Sequence, residues 1–295
     1  MSPPPEAGVI HDIGFRHYEG PRLGRGYLLR SLYVESLKGA YGLGRSAKSK
    51  VMPAILLAAM VLPALIIALV AGLTNADKLP LEYTAYAIDL GTAVSVFVAS
   101  QSPALVSRDL RFKVMPLYLS RPLSRGDYVL AKYAAMASAL FVLMGLPLVV
   151  LYAGALLGKL PFWDQTRGVL SGFVGVALFS LLLAGYGLVI ASITPRRGFG
   201  IAAIIAVLIV VGLVGAILQG ISVDTHHETL AGYLGLIAPF PLVDGVQVWI
   251  FGSTSNAPQG PPGHLGGVVF LLVTLAEIAA AYVVLQLRYR RVSAS

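Results

Sequence analysis

Two carboxylates stand inside apolar stretches where charge is costly, Asp89 and Glu277. A carboxylate in such a setting can bind a cation, relay a proton, or simply be satisfied by nearby hydroxyl and backbone groups. Asp89 falls near one end of its stretch, within reach of water, and Glu277 near the middle of its own. Neither has a spaced partner of the kind a catalytic dyad needs, and no GxSxG or serine–histidine arrangement occurs, so chemistry on bonds is not expected. His226, His227 and Glu228 lack HExxH spacing, and adjacent histidines diverge on a helix, so they read as solvated loop residues and no metal site is expected. The chain has no cysteine, which removes disulfides and thiolate ligands. The stretch GLGRSAKS at 42–49 comes close to a phosphate-binding loop, but Ala47 occupies the place of the second glycine. No nucleotide site is expected in this chain. If ATP is used, another chain supplies the site.

Charge and apolar side chains are most densely interleaved at 106–132, VSRDLRFKVMPLYLSRPLSRGDYVLAK. Arg108, Arg111, Lys113, Arg121, Arg125 and Lys132 face only Asp109 and Asp127, and Leu110, Leu117, Tyr118 and Leu119 are threaded among them. Pro116 and Pro122 divide the segment, which suits one or two short amphipathic helices at a membrane surface. A mere polar linker would need neither the prolines nor the alternating leucines. This segment is expected to dock something.

The elements that position these residues are membrane spans. Of 295 residues, 57% are hydrophobic and only 12% charged, and the mean hydropathy is +0.78. Soluble domains carry about 25% charged residues, so most of this chain belongs in lipid. Apolar runs at 51–73, 83–106, 128–158, 168–193, 198–221 and 265–287 each approach or exceed the ~20 residues that cross a bilayer core. The second run is the most polar, with Asp89, Ser95, Ser100, Gln101 and Ser102, so it should face a bundle interior and, with the slim Gly- and Ala-rich fifth, line any path. Pro147 is expected to break the third. Phe162 and Trp163 are expected to anchor a loop at 159–167 in the interface.

The net charge of +8 follows topology rather than a nucleic-acid face. Eight Lys and Arg precede the first run, six lie at 107–132, two at Arg196 and Arg197, and three follow the last run. The other side holds only Lys78, Lys159 and Arg167. That bias predicts both termini in the cytoplasm. Residues 1–50 are expected to hold a cytoplasmic tail at 1–19, without a signal peptide, and an amphipathic elbow helix near 27–37 with Leu28, Leu29, Leu32, Tyr33 and Leu37 on one face. Residues 51–287 form the membrane domain, and 288–295 a cytoplasmic tail. Between the fifth and sixth runs, 230–238 and 242–252 are apolar yet too short to cross, with Pro239, Phe240 and Pro241 as the break between them. This predicts a re-entrant helical hairpin capping the outer end of the bundle.

The whole chain resembles the membrane subunit of an ABC-2 type ABC transporter. The likeness is carried by the amphipathic stretch before the first span, the six spans and the broken apolar hairpin. Its most specific part is the loop DLRFKVMPLYLSRPLSRGDYVLAK. HDIGFRHYEGPRLGRG also looks like permeases of this type from high-GC bacteria. The resemblance implies an all-α, six-span, dimeric permease of the bacterial plasma membrane, probing one partner in particular: a separate ATPase subunit, two copies of which hold ATP and Mg. It further implies a second permease copy or a related permease beside this chain, and export as the direction of transport. The loop after span two would be a coupling helix at about 108–125, with Arg108, Asp109, Arg111, Arg121 and Arg125 as polar contacts and Leu117, Leu119 and Leu123 as apolar ones. Asp89, Gln101 and Glu277 remain candidate path or structural residues. Release of lipids or lipoproteins, or support of metalloenzyme maturation, is the alternative within the family. A membrane enzyme using Glu277, or a pure anchoring subunit, are the alternatives outside it.

Overall fold

Long apolar runs in lipid must satisfy their backbone internally, and helices do this within one segment. The computed structural model describes residues 20, 23–74, 78–111, 117, 118, 120, 122–194 and 196–292, and among these the secondary structure is helical throughout. In chain order the helices are α1 (Arg25–Ala40), α2 (Ala47–Thr74), α3 (Tyr83–Asp89), α4 (Gly91–Arg111) and α5 (Arg125–Leu157). They continue with α6 (Phe162–Ile193), α7 (Arg197–Asp224), α8 (Glu228–Leu234), a 3-10 turn at Gly235–Ile237, α9 (Pro239–Phe251) and α10 (Gly263–Val292). Helices α2, α5, α6, α7 and α10 are each long and apolar enough to cross a bilayer, and α3 with α4 supplies a sixth crossing only as a bent pair.

The run at 83–106 is therefore not the single span the hydropathy predicts. It breaks at Leu90 and turns by 59°. Phe240, from the first turn of α9, lies where a side chain on Gly91 would project, so the break is wedged from outside its own sequence. Phe240 in turn packs edge-on against Phe179 of α6, with ring centroids 4.9 Å apart.

Three further expectations are corrected. Pro147 does not break the third span, because α5 runs unbroken through it, as α2 does through Pro53 and Pro63 and α4 through Pro103. A packed bundle tolerates the lost hydrogen bond. The two short helices do part here, but at Ala238, and Pro239, Phe240 and Pro241 form the first turn of α9, where the N–H groups that proline lacks have no intrahelical partner anyway. Phe162 and Trp163 sit in the first turn of α6 rather than in a loop, both exposed and in edge-to-face contact.

Burial ranks the helices. Over its most apolar window α6 is 56% buried and α7 only 17%, which makes α6 the centre and α7 the periphery. Helix α5 packs on α6, α2 and α1. Leu62, Ile66 and Leu69 of α2 and Val210, Val214 and Ile217 of α7 point outward, a surface that only lipid or another protein would cover. Helix α1 lies along α5, tied by Tyr33 to Ser138 Oγ (2.9 Å) and by the Tyr41 hydroxyl to the Ala139 carbonyl (2.7 Å). The glycines of GLGRSAKS make the turn from α1 to α2. Gly42 takes φ +68°, and a Cβ there would collide with the Ser49 backbone.

Helix α9 is 13 residues long, about 20 Å, too short to cross a ~30 Å core. It nevertheless buries Leu242, Val243, Asp244, Val246 and Gln247 between α6 and α10. The side chain of Gln247 fills the space beside Gly175 of α6. Gly252, in the left-handed conformation at φ +65°, ends the helix.

Candidate functional site

At the break in the second span, an open cavity of about 390 Å³ lies between α4 and α7. Ile88, Val96, Ile205, Leu208, Ile209 and Leu213 make its apolar walls, while Asp89, Thr92 and Ser95 supply polar groups at one end. A second cavity of about 220 Å³ shares Ile88, Gly212 and Phe240 with the first and extends it to Asp244 and Asn256. The two form one groove with an apolar floor and an acidic mouth. A larger hollow of about 590 Å³ lies beside it at the same end of the bundle, between the starts of α3 and α6, with Lys78, Glu82 and Asp164 on its rim.

The mouth is organised by a carboxylate that sequence reasoning overlooked. Asp244 is 3% exposed and accepts hydrogen bonds from Ser255 Oγ (2.9 Å), Asn256 N–H (3.0 Å) and Ala257 N–H (3.3 Å). Asn256 then donates through its side-chain amide to Asp89 Oδ1 (3.1 Å), and Thr254 N–H donates to Glu82 Oε2 (3.2 Å). The loop after α9 is thus strapped across to α3 by carboxylates that accept from neutral donors. Among the described residues, no ion pair is made by Glu82, Asp89 or Asp244. The one available signal was an aspartate within the apolar run 242–252.

The other predicted polar positions divide clearly. Ser95, Ser100, Gln101, Ser102 and Ser107 of α4 are all buried, as their polarity requires. Gln101 donates to Ser100 Oγ (3.1 Å), and Ser107 reaches the Ala191 and Thr194 carbonyls of the α6 end. Glu277, half-buried on α10, accepts from the Tyr186 hydroxyl of α6 (3.0 Å), a neutral partner. His226 adopts φ +59° just beyond α7, and His227 turns its Nδ1 to Thr225. Among the described residues no three His, Asp or Glu side chains converge as metal ligands.

At the opposite, basic end, the 106–125 segment is described only in part. Leu119 and Arg121 lie outside the described residues, as do the side chains of Arg108 and Arg111. Leu117 is 69% exposed and Arg125 is exposed, so both are free to meet a partner. Leu123 is instead buried in the core. Asp109 also turns inward, accepting from the Tyr128 hydroxyl (2.7 Å) and pairing with Lys132 (3.0 Å). Asp109 and Leu123 thus hold this end together rather than presenting themselves for docking.

Helix α5 begins there with a capping box. Ser124 Oγ accepts from Asp127 N–H, and Asp127 accepts from Ser124 N–H. The same carboxylate takes a bidentate pair from Arg25 of α1, at 2.7 and 2.8 Å. The hydrogen bond to Asp127, and then its charge, hold the Arg25 guanidinium above its ordinary pKa. The rings of Tyr118 and Tyr289 flank Tyr128, with centroids 5.5 and 5.1 Å away.

No protein-family model matches the chain, and no curated protein shows significant similarity to it.

Proposed function

We propose that this chain is the permease subunit of an ABC-2 type transporter, an exporter of the bacterial plasma membrane driven by a separate ATPase. Both termini lie in the cytoplasm in this reading. The supporting observation is the pairing of two features on one element. The second span is broken and lines a groove at one end, and at the other it runs into the basic, leucine-bearing segment toward Arg125. Discontinuous spans are how transporters place binding groups inside the bilayer. A partner pushing on the basic segment would act directly on the helix that lines the groove. The amphipathic α1 serves as the elbow, and the short α8 and α9 as the re-entrant hairpin.

Two ATPase copies and a second permease copy complete the assembly, with ATP and Mg on the ATPase. Leu117 and Arg125, exposed at the basic end, are the docking contacts in this reading, together with Arg108, Arg111, Leu119 and Arg121.

The test is purification of the tagged chain in mild detergent with an assay of co-purifying ATPase, comparing wild type with Arg121→Glu/Arg125→Glu. The expected result is an ATPase subunit held by wild type and lost or uncoupled in the double variant. Wild type free of any ATPase would overturn the reading.

A further inference from the structure

We infer that the groove between α4 and α7 binds a lipophilic amine, with its protonated nitrogen at Asp89 and its hydrocarbon body along α7. This rests on the transporter reading and supplies the substrate class for its path.

Three observations meet in the groove. Its walls are aliphatic, with Ile205, Leu208, Ile209 and Leu213 from α7 opposing Val96 from α4. Its mouth is acidic, because Asn256 bridges Asp244 and Asp89 through its backbone N–H and side-chain amide, and no cation pairs with either among the described residues. Between wall and mouth stands Ser95, 8% exposed, lining the cavity and without a hydrogen-bond partner among the described residues. Ser100, Ser180 and Ser192 bond to a carbonyl of their own helix, while Ser102 is buried and unpaired. The Ser95 oxygen differs from both in remaining accessible from the cavity, where it can exchange a hydrogen bond with an occupant.

Charge complementarity chooses among amphiphiles. An anionic head would enter beside the Asp89 carboxylate, with Asp244 behind it, and would be repelled. A neutral alcohol would satisfy Ser95 but leave Asp89 without a counter-ion. An ammonium head does both, since it can donate to the Asp89 carboxylate and to the Ser95 hydroxyl. Gly212 keeps the passage along α7 open, because no heavy atom lies within 4 Å of where its Cβ would be.

The test measures radiolabelled dodecylamine bound to the full chain in phosphatidylcholine nanodiscs, above its partition into empty discs. Dodecanol and dodecanoate serve as competitors. The expected result is saturable binding that dodecanoate does not displace. Asp89→Asn should weaken it about tenfold, and Gly212→Trp, which fills the groove from the α7 side, should abolish it. Ser95→Ala should give a smaller loss. Binding no greater than in empty discs, equal competition by dodecanoate, or an unchanged affinity in both Asp89→Asn and Gly212→Trp overturns the inference. Because the measurement needs no ATPase, its failure alongside intact ATPase association removes the amine and leaves the permease reading standing.

Discussion

The two ends of the bundle satisfy their carboxylates in different ways. At the basic end Asp127 meets Arg25, and Asp109 meets Lys132. At the other end Asp244, Asp89 and Glu82 accept from backbone N–H, serine, threonine and asparagine. The uneven distribution of Lys and Arg along the chain explains the contrast, since the segments at the second end carry three cations in all. Cation pairing locks helices to one another across long sequence separations. Neutral donors in a loop hold only that loop, and they leave the carboxylates able to take a charged guest. One end is therefore cross-braced by ion pairs between helices, and the other is held by a loop on neutral donors.

Breaking the Asp109–Lys132 pair should have the largest effect. Both side chains are mostly buried, and Lys132→Met leaves Asp109 charged without its partner, a loss of about 3 kcal/mol. Thermal unfolding in detergent checks this, and Asp109→Asn combined with Lys132→Met should recover much of the loss. A variant as stable as wild type would mean that Tyr128 alone satisfies Asp109. Next comes Asp244→Ala, which orphans the Asn256 N–H and leaves Ala257 N–H only its bond to Ser255 Oγ, at a cost of about 2 kcal/mol. Hydrogen exchange should quicken at 253–258 while the basic end stays protected. Acceleration spread evenly over both ends would show that the strap is not a local device. The smallest effect belongs to Arg25→Ala, because the guanidinium is solvent-exposed and its attraction is screened. Its melting temperature should fall slightly at low salt and match wild type at high salt.

Much of the architecture was legible in the chain, because hydrophobicity and charge are local properties. The apolar runs located the crossings, and the polar residues of the second run required burial that α4 provides. The third apolar run begins at Tyr128, and the structure starts its helix a turn earlier, at a capping box of Ser124 and Asp127. Other features were invisible for a definite reason. The break at Leu90 has no proline to announce it and depends on Phe240, some 150 residues later, occupying the space beside Gly91. Pro147 shows the converse, a strong local breaker overruled by the helices packed around it. Asp109 and Leu123 are expected to dock because their segment resembles a coupling loop, yet contacts with Lys132, Tyr128 and the core turn them inward.

By itself, then, the sequence determined that this chain lies in a membrane, where it crosses, and which end carries the positive charge. Each follows from free energies of transfer that depend on composition alone. Only the tertiary structure decided where the second span bends, which carboxylates pair with cations, and that α4 and α7 leave a groove between them. Those outcomes depend on side chains far apart in the chain competing for the same space and the same hydrogen bonds.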